Sequence, residues 1–230
     1  NQRSHNLDQL NTYELVKIFS EEDLEPQKAV LKAIPEIANA IDLIFSRLKS
    51  GGRLFYLGSG TSGRLGVMDA AECPPTFCTP TELVQGIIAG GNDSLVKSSE
   101  ELEDSDILSV DDLKARNFSE SDCLVGISAG GTTPYVNSAL SYSKDIGALT
   151  VSISSVPKKE VKLICDIDIR LITGPELLTG STRLKAATAT KMVLNMISTI
   201  VMVKLGKVYG NKMIDVSVTN SKLFDRALRI

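Results

Sequence analysis

Three hydroxyl residues, Ser59, Thr61 and Ser62, are set among glycines in Gly58-Ser59-Gly60-Thr61-Ser62-Gly63, a pattern suited to holding a phosphate. Glycine lets backbone approach a ligand closely, hydroxyls donate hydrogen bonds, and the free N–H groups of a helix start attract anions. The loop follows a short apolar run, Leu54 to Leu57, bounded by Gly51-Gly52 and Gly58, which reads as a buried strand. Beyond it, Leu65, Val67, Met68 and Ala71 line one side of a helix that Pro74-Pro75 is expected to terminate. Ser59, Gly60, Thr61 and Ser62 are the first phosphate-binding candidates.

A second loop of the same kind, Ser128-Ala129-Gly130-Gly131-Thr132-Thr133-Pro134, follows the apolar run Cys123 to Ile127. On neighbouring strands two such loops hold one phosphate from two sides, which adds Gly131, Thr132 and Thr133 to the candidates. The plainer alternative is that Gly130-Gly131 only turns the chain and Thr133 caps a helix. Gly58-x-Gly60-x-x-Gly63 also matches the dinucleotide fingerprint, or could be a structural turn. A dinucleotide site wants an acid about 20 residues on, at the end of the second strand, to hold the ribose. Here Leu83 to Ile88 leads into Ala89-Gly90-Gly91-Asn92, and Asp93 arrives late. Three hydroxyls in one loop suit a terminal monophosphate better than a pyrophosphate.

Two carboxylates are candidates for proton transfer. Glu72 ends the first post-loop helix against Cys73-Pro74-Pro75, near Ala70, Ala71 and Phe77; a partly desolvated carboxyl there fits a general acid. Glu103 lies among Glu100, Glu101 and Asp104, where like charges crowd. Taken singly, a carboxylate in either setting is more often a surface group.

The elements that must position these groups alternate along the chain. Apolar runs at Leu54 to Leu57, Leu83 to Ile88, Cys123 to Ile127, Leu149 to Ile153 and Ile167 to Ile172 predict five strands. Helices are predicted at Leu95 to Lys114, Pro134 to Ile146 and Arg183 to Val208, the last apolar enough for the core. The expectation is an α/β fold, a five-stranded parallel sheet with helices on both faces. Ahead of it, Val30, Ile34, Ile37, Ile41 and Ile44 give Pro26 to Leu48 an amphipathic helical pattern that Pro35 kinks or divides. The first ten residues read as a polar arm that a monomer has little means of holding.

The chain has 230 residues, 43% hydrophobic, enough for one main domain at 49–230 after an arm and helices at 1–48. A formal net charge of -3 argues against a nucleic-acid partner. Four cysteines lack metal-type pairing and His5 is the one histidine, which disfavours zinc chemistry and a Ser-His-Asp triad. No disulfide scaffold, membrane span or signal peptide is read, so the expectation is a soluble cytoplasmic protein. Starting at Asn1 rather than methionine, the chain reads as a fragment or a trimmed chain.

The segments LGSGTSGRLGVMDAAECPPTF, IIAGGNDSLVKSSEELEDS, TPYV, GPELLTGSTRLK and ATKMVLNMIS resemble the N-acetylmuramic acid 6-phosphate etherases, a branch of the sugar isomerase (SIS) domain superfamily. The resemblance runs over nearly the whole chain, with ECPPTF and LTGSTRLK its most specific parts. It implies a SIS domain, an α-β-α sandwich, and cleavage of a lactyl ether to N-acetylglucosamine 6-phosphate and D-lactate, within the catabolism of N-acetylmuramic acid and peptidoglycan recycling. It implies elimination and hydration with Glu72 as general acid and Glu103 as general base, no metal, and no cofactor. A helix from Ser62 to Glu72 spans about 15 Å, longer than a hexose phosphate, so a homodimer with sites near the subunit interface is expected. Where the family usually reads ASGRTP, this chain has Ala129-Gly130-Gly131-Thr132-Thr133-Pro134, and Ala187 and Thr190 replace the usual glycine and glutamine. Glycine at 130 removes a hydroxyl and threonine at 132 removes a cation. A non-catalytic sugar-phosphate sensor, like the related glucokinase regulatory proteins, and a phosphosugar isomerase are the alternative readings.

Overall fold

The computed structural model describes residues 1–97 and 100–214. Three helices, α1 (Thr12–Glu22), α2 (Leu24–Lys32) and α3 (Ile34–Lys49), precede the alternating part. That part runs β1 (Leu54–Gly58), α4 (Gly60–Phe77), β2 (Val84–Ile88), α5 (Asp93–Val96), α6 (Leu108–Lys114) and β3 (Cys123–Ile127). It continues through α7 (Pro134–Asp145), β4 (Leu149–Ser154), β5 (Ile167–Arg170) and α8 (Lys185–Lys204). A small antiparallel pair, β6 (Val208–Tyr209) and β7 (Lys212–Met213), follows, where the sequence pattern runs the last helix on to Val208.

All four pairings of the main sheet are parallel, in the order β2-β1-β3-β4-β5. Every residue of β1, β3 and β4 is buried, which is why these strands read as unbroken apolar runs rather than alternating ones. Successive side chains enter opposite layers. Leu54, Tyr56, Val125 and Ile153 pack with Ile37, Ile41, Ile44, Val193 and Ile197 of α3 and α8. Phe55, Leu57 and Leu124 pack with Leu113, Tyr135, Val136 and Leu140 of α6 and α7. Helix α8 is long and apolar enough to cross a membrane by length and composition, but half of that window is buried; it serves as the core helix of one layer.

The helical pattern from Pro26 to Leu48 is divided at Pro35, one of the two outcomes expected: α2 and α3 meet at Ala33, and Pro35 occupies the first turn of α3. Pro74-Pro75 does not end α4. The helix carries both prolines in its final turn and stops at Cys78, which is left-handed (φ 51°) and donates its N–H to the Pro74 carbonyl at 2.9 Å. Cys73 and Phe77 hold that turn in the core, offsetting the hydrogen bonds the prolines cannot make. The continuous helix expected from Leu95 to Lys114 is also absent. Lys97 is extended, a 3-10 turn occupies Glu100–Asp104, and α6 begins after Ser105, whose hydroxyl accepts the Leu108 N–H at 3.3 Å. Serines and aspartates in this stretch compete for backbone partners and so break a helix; residues 98–99 of the expected helix lie outside the described residues.

The first ten residues are held, not free. Asn1 donates to Glu22 Oε2 at 2.7 Å and to the Pro175 carbonyl at 3.1 Å, and Arg3 donates to Glu22 Oε1 at 3.2 Å. Glu22 in turn accepts from Lys185 Nζ at 2.6 Å, with the two residues 7% and 3% exposed. One buried ion pair thus ties the chain's start to the first turn of α8.

Two substitutions test these anchors. Burial alone would raise the Glu22 carboxyl, but hydrogen bonds from Lys185 and Asn1 and the charges of Lys185 and Arg3 hold it below its ordinary value of 4.5. A depressed carboxyl contributes stability above its unfolded value and loses it as pH falls through the folded one. Glu22→Gln is therefore expected to cost about 3 kcal/mol at neutral pH, and the gap in melting temperature from wild type should close at acid pH below 4.5; a gap unchanged by acid contradicts the linkage.

At the other end of the sheet, Asp122 (1% exposed) accepts from the Arg53 N–H, Nε and Nη2 and from the Ser119 N–H, joining the starts of β1 and β3. Asp122→Ala leaves those donors unpaired and should lower the urea midpoint by the equivalent of about 3 kcal/mol. Loss of less than about 1 kcal/mol would show that the anchor is not structural.

Candidate functional site

Strand order reverses between β1 and β3, and ligands in such sheets bind beyond the carboxyl ends of the strands at that point. The register places Gly58 opposite Ile127, so the two glycine and hydroxyl loops leave the sheet side by side. Gly60 makes the turn into α4 with φ +51°, a conformation glycine adopts without strain. Gly63 brings the helix start against the sheet: a Cβ there would lie 2.6 Å from the Gly58 carbonyl oxygen and 2.7 Å from Ile88 Cγ1.

A cavity of about 220 Å³ opens at this place. Ser59, Gly60, Thr61 and Ser62 form one wall, Ser128, Ala129, Gly130 and Thr133 a second, and Thr182, Ala186, Ala187 and Thr190 a third. Its volume lies below the ~300–1,000 Å³ typical of sites for drug-sized ligands, and β2 ends in Ala89-Gly90-Gly91 with no acid in the ribose position. The geometry therefore suits a monophosphate head group better than a dinucleotide.

Three helix starts approach the cavity, and they are not equivalent. The first amides of α4, at Gly60, Thr61 and Ser62, have no intrahelical acceptor, and the N-cap residue Ser59 makes no side-chain cap. Helix α7 begins with Pro134, which has no N–H to offer, and its N-cap Thr133 instead pairs its hydroxyl with Ser128 Oγ at 2.8 Å. Helix α8 is already satisfied: Glu176 accepts the Lys185 and Ala186 N–H groups at 3.0 and 2.9 Å. The α4 start is thus the one of the three with amides free for an anion. No lysine or arginine appears among the described residues lining the cavity.

Of the two carboxylates, the structure brings one to the cavity. Glu103, half-buried on the 3-10 turn Glu100–Asp104, lines it and accepts a hydrogen bond from Ser59 Oγ at 3.0 Å. The break in the expected helix is what aims this turn at the loop. Glu72 is exposed rather than desolvated, because Cys73 and Phe77 take the inward positions of the last turns of α4. It does not line the cavity of its own chain.

The second loop is also rearranged relative to expectation. Thr133 lines the cavity, whereas Gly131 and Thr132 do not. Gly131 is buried with φ +69° facing Val156 and Val161, and Thr132 is exposed. Ser128 and Gly130 supply the wall instead. Thr182 and Thr190 line the cavity without having been site candidates; the signals were the specific segment LTGSTRLK, which holds Thr182, and the replacement of the usual glutamine at Thr190. Among the described residues no cluster of His, Cys, Asp and Glu could hold a metal ion.

The family model of the glucokinase regulatory protein N-terminal SIS domain matches residues 36–144. Over all 230 residues the chain is 65% identical to the N-acetylmuramic acid 6-phosphate etherase of Prochlorococcus marinus (strain MIT 9313), covering 73% of that protein. It is 68% identical to the enzyme of the same name from strain NATL2A, covering 74%. The fold is shared with a phosphoheptose isomerase from Neisseria gonorrhoeae, at TM-score 0.61 and 17% identity over 82% of this chain and 97% of that one. Its five-stranded parallel sheet is that of a SIS domain, and by sequence the chain belongs to the N-acetylmuramic acid 6-phosphate etherase family.

Proposed function

We propose that the chain is a carbon–oxygen lyase that cleaves the D-lactyl ether of N-acetylmuramic acid 6-phosphate, giving N-acetylglucosamine 6-phosphate and D-lactate. The observation that carries this is Glu103 joined to Ser59: a proton acceptor stands in the same cavity as the anion site. With the sugar's phosphate on the α4 start, held by Ser59, Thr61, Ser62 and the loop around Thr133, the sugar extends from that anchor towards Glu103.

In the open-chain sugar the C1 aldehyde acidifies the C2 proton. Glu103 removes that proton, a C2–C3 double bond forms, and the C3–O bond to the lactyl group breaks as an acid protonates the departing oxygen. Water then adds its hydroxyl to C3 and its proton to C2, restoring the saturated sugar. Residues of this chain account for each proton, so the scheme calls on no cofactor.

Glu72 is the acid in this scheme, acting on the site of a second subunit. Support comes from its exposure and from its neighbours: Met68, Ala71 and Glu72 share an exposed face of α4, and an apolar groove runs beside it between Val67, Ala71, Pro74, Val84 and Gly86. A homodimer that pairs these faces carries each Glu72 towards the partner's cavity. Four free cysteines fit a reducing compartment, the cytoplasm, where the reaction serves catabolism of wall-derived amino sugars during peptidoglycan recycling.

A second reading is favoured by the match to the regulatory SIS domain and by the exposure of Glu72: the cavity binds a sugar phosphate without turning it over. D-lactate release decides between them. Wild type should release D-lactate, and Glu103→Ala and Glu72→Ala should each lose about 10²-fold or more in kcat. No release by wild type, with thermal stabilisation by a sugar phosphate, makes the protein a sensor; aldose–ketose interconversion makes it an isomerase.

Subunit mixing tests the shared site. Random exchange of Glu72→Ala and Glu103→Ala subunits should restore about a quarter of wild-type activity, since half the dimers are mixed and each has one intact site. No recovery on mixing would place Glu72 and Glu103 in one chain's site or leave Glu72 without a role.

A further inference from the structure

We infer that Ser59 is a positioning residue that couples occupation of the phosphate loop to release of Glu103 as a base, an inference that rests on the proposed etherase reading. Ser59 has the extended backbone of an N-cap (φ -113°, ψ 156°), and a serine there ordinarily accepts from an N–H of the first helical turn. Here it makes no such bond; its hydroxyl donates to Glu103 Oε2 at 3.0 Å. The cap has been given up, leaving the α4 amides open, and the hydroxyl proton is committed to the carboxylate.

A hydroxyl has one proton to donate. The described residues of the cavity offer an incoming phosphate amides and hydroxyls, with no lysine or arginine among them, and Ser59 is the hydroxyl that holds Glu103. A phosphate oxygen that takes the Ser59 proton removes the hydrogen bond from Glu103 Oε2. Phosphate and carboxylate also repel, which turns the freed carboxylate away from the loop and towards the sugar. In the empty cavity Oε2 stays bound to the loop; in the filled one it is available for the C2 proton. A sugar lacking the phosphate would leave Glu103 tied down.

The test compares two substrates, N-acetylmuramic acid 6-phosphate and unphosphorylated N-acetylmuramic acid, with wild type, Ser59→Ala and Ser59→Thr. Lactate release from the 6-phosphate by wild type comes first; its absence sinks the etherase reading and this one with it. Given that release, Ser59→Ala should lose about tenfold in kcat/KM on the 6-phosphate yet gain about fivefold on the unphosphorylated sugar, where Glu103 is no longer held. Ser59→Thr, which keeps the hydroxyl, should recover most of what Ser59→Ala loses on the 6-phosphate and show none of its gain on the unphosphorylated sugar. Inorganic phosphate added with the unphosphorylated sugar should speed wild type and not Ser59→Ala. A rate on the unphosphorylated sugar equal to or below wild type in Ser59→Ala, zero for both included, overturns the coupling while leaving the etherase reading intact. Should Ser59→Ala misfold and lose both rates together, the wild-type arm decides: inorganic phosphate that fails to speed release from the unphosphorylated sugar overturns the coupling.

Discussion

The close approach of α4 to the sheet is the constraint on which the site depends. A Cβ on Gly63 would collide with the Gly58 carbonyl and Ile88, one on Gly86 would lie 2.4 Å from Val67 Cα, and one on Gly66 would lie 2.8 Å from Tyr56 Cβ. Backbone on backbone, the helix has little freedom to slide or tilt, because any larger residue at these points requires a shift of the main chain. Its first turn, with its free amides, is therefore fixed at the end of β1. Its far end is fixed about 15 Å away by the same rigidity, so one element sets both the phosphate anchor and the place of Glu72.

Neutral donors at the anchor solve an electrostatic problem. A lysine in this cavity would pair with Glu103, which already reaches the loop through Ser59 at 3.0 Å, and would occupy the carboxylate that the proposed reaction uses as its base. Amides and hydroxyls hold an anion through dipoles and leave that carboxylate without a permanent counter-charge. Lys185, beside the third wall, points away and is neutralised by Glu22 at 2.6 Å. Glu176 at the same helix start withdraws the α8 amides from competition. Charges around the cavity thus fix its walls, while the cavity itself is left to α4 and to Glu103.

How far sequence discloses this arrangement depends on how local each feature is. The three central strands were legible because they are buried on both faces, the edge strands β2 and β5 because enough apolar residues remain on their inward side, and the loop at Ser59 because its residue types are contiguous. Helix ends were less so. Pro74-Pro75 reads as a stop, yet packing of Cys73 and Phe77 carries α4 past it, a tertiary contact outweighing a local rule. The run from Leu95 to Lys114 has helical periodicity, but the Ser105 hydroxyl takes the Leu108 N–H and starts a separate helix there. In the second loop, composition marks the segment without telling which residue faces the ligand. That is decided by Val156 and Val161, which take up the Gly131 side. The third wall comes from Thr182 to Thr190, far along the chain from both loops, and only the crossing of α8 over the sheet brings it there.

The departures at positions 130 and 132 acquire different weights in this geometry. Thr132 is exposed and does not line the cavity, so the cation lost there relative to the family pattern is lost from the rim, where a charge acts on encounter more than on the bound state. Gly130 does line it, and a Cβ at that position would meet nothing nearer than Thr132 Oγ1 at 3.5 Å. A serine would fit without moving its neighbours, so its absence is a missing donor and not a steric adjustment. Thr133 and Ser128, paired at 2.8 Å beside it, remain as hydroxyls on that wall. Glu103 and the α4 start, on which the proposed reaction rests, are joined through Ser59, which neither departure touches.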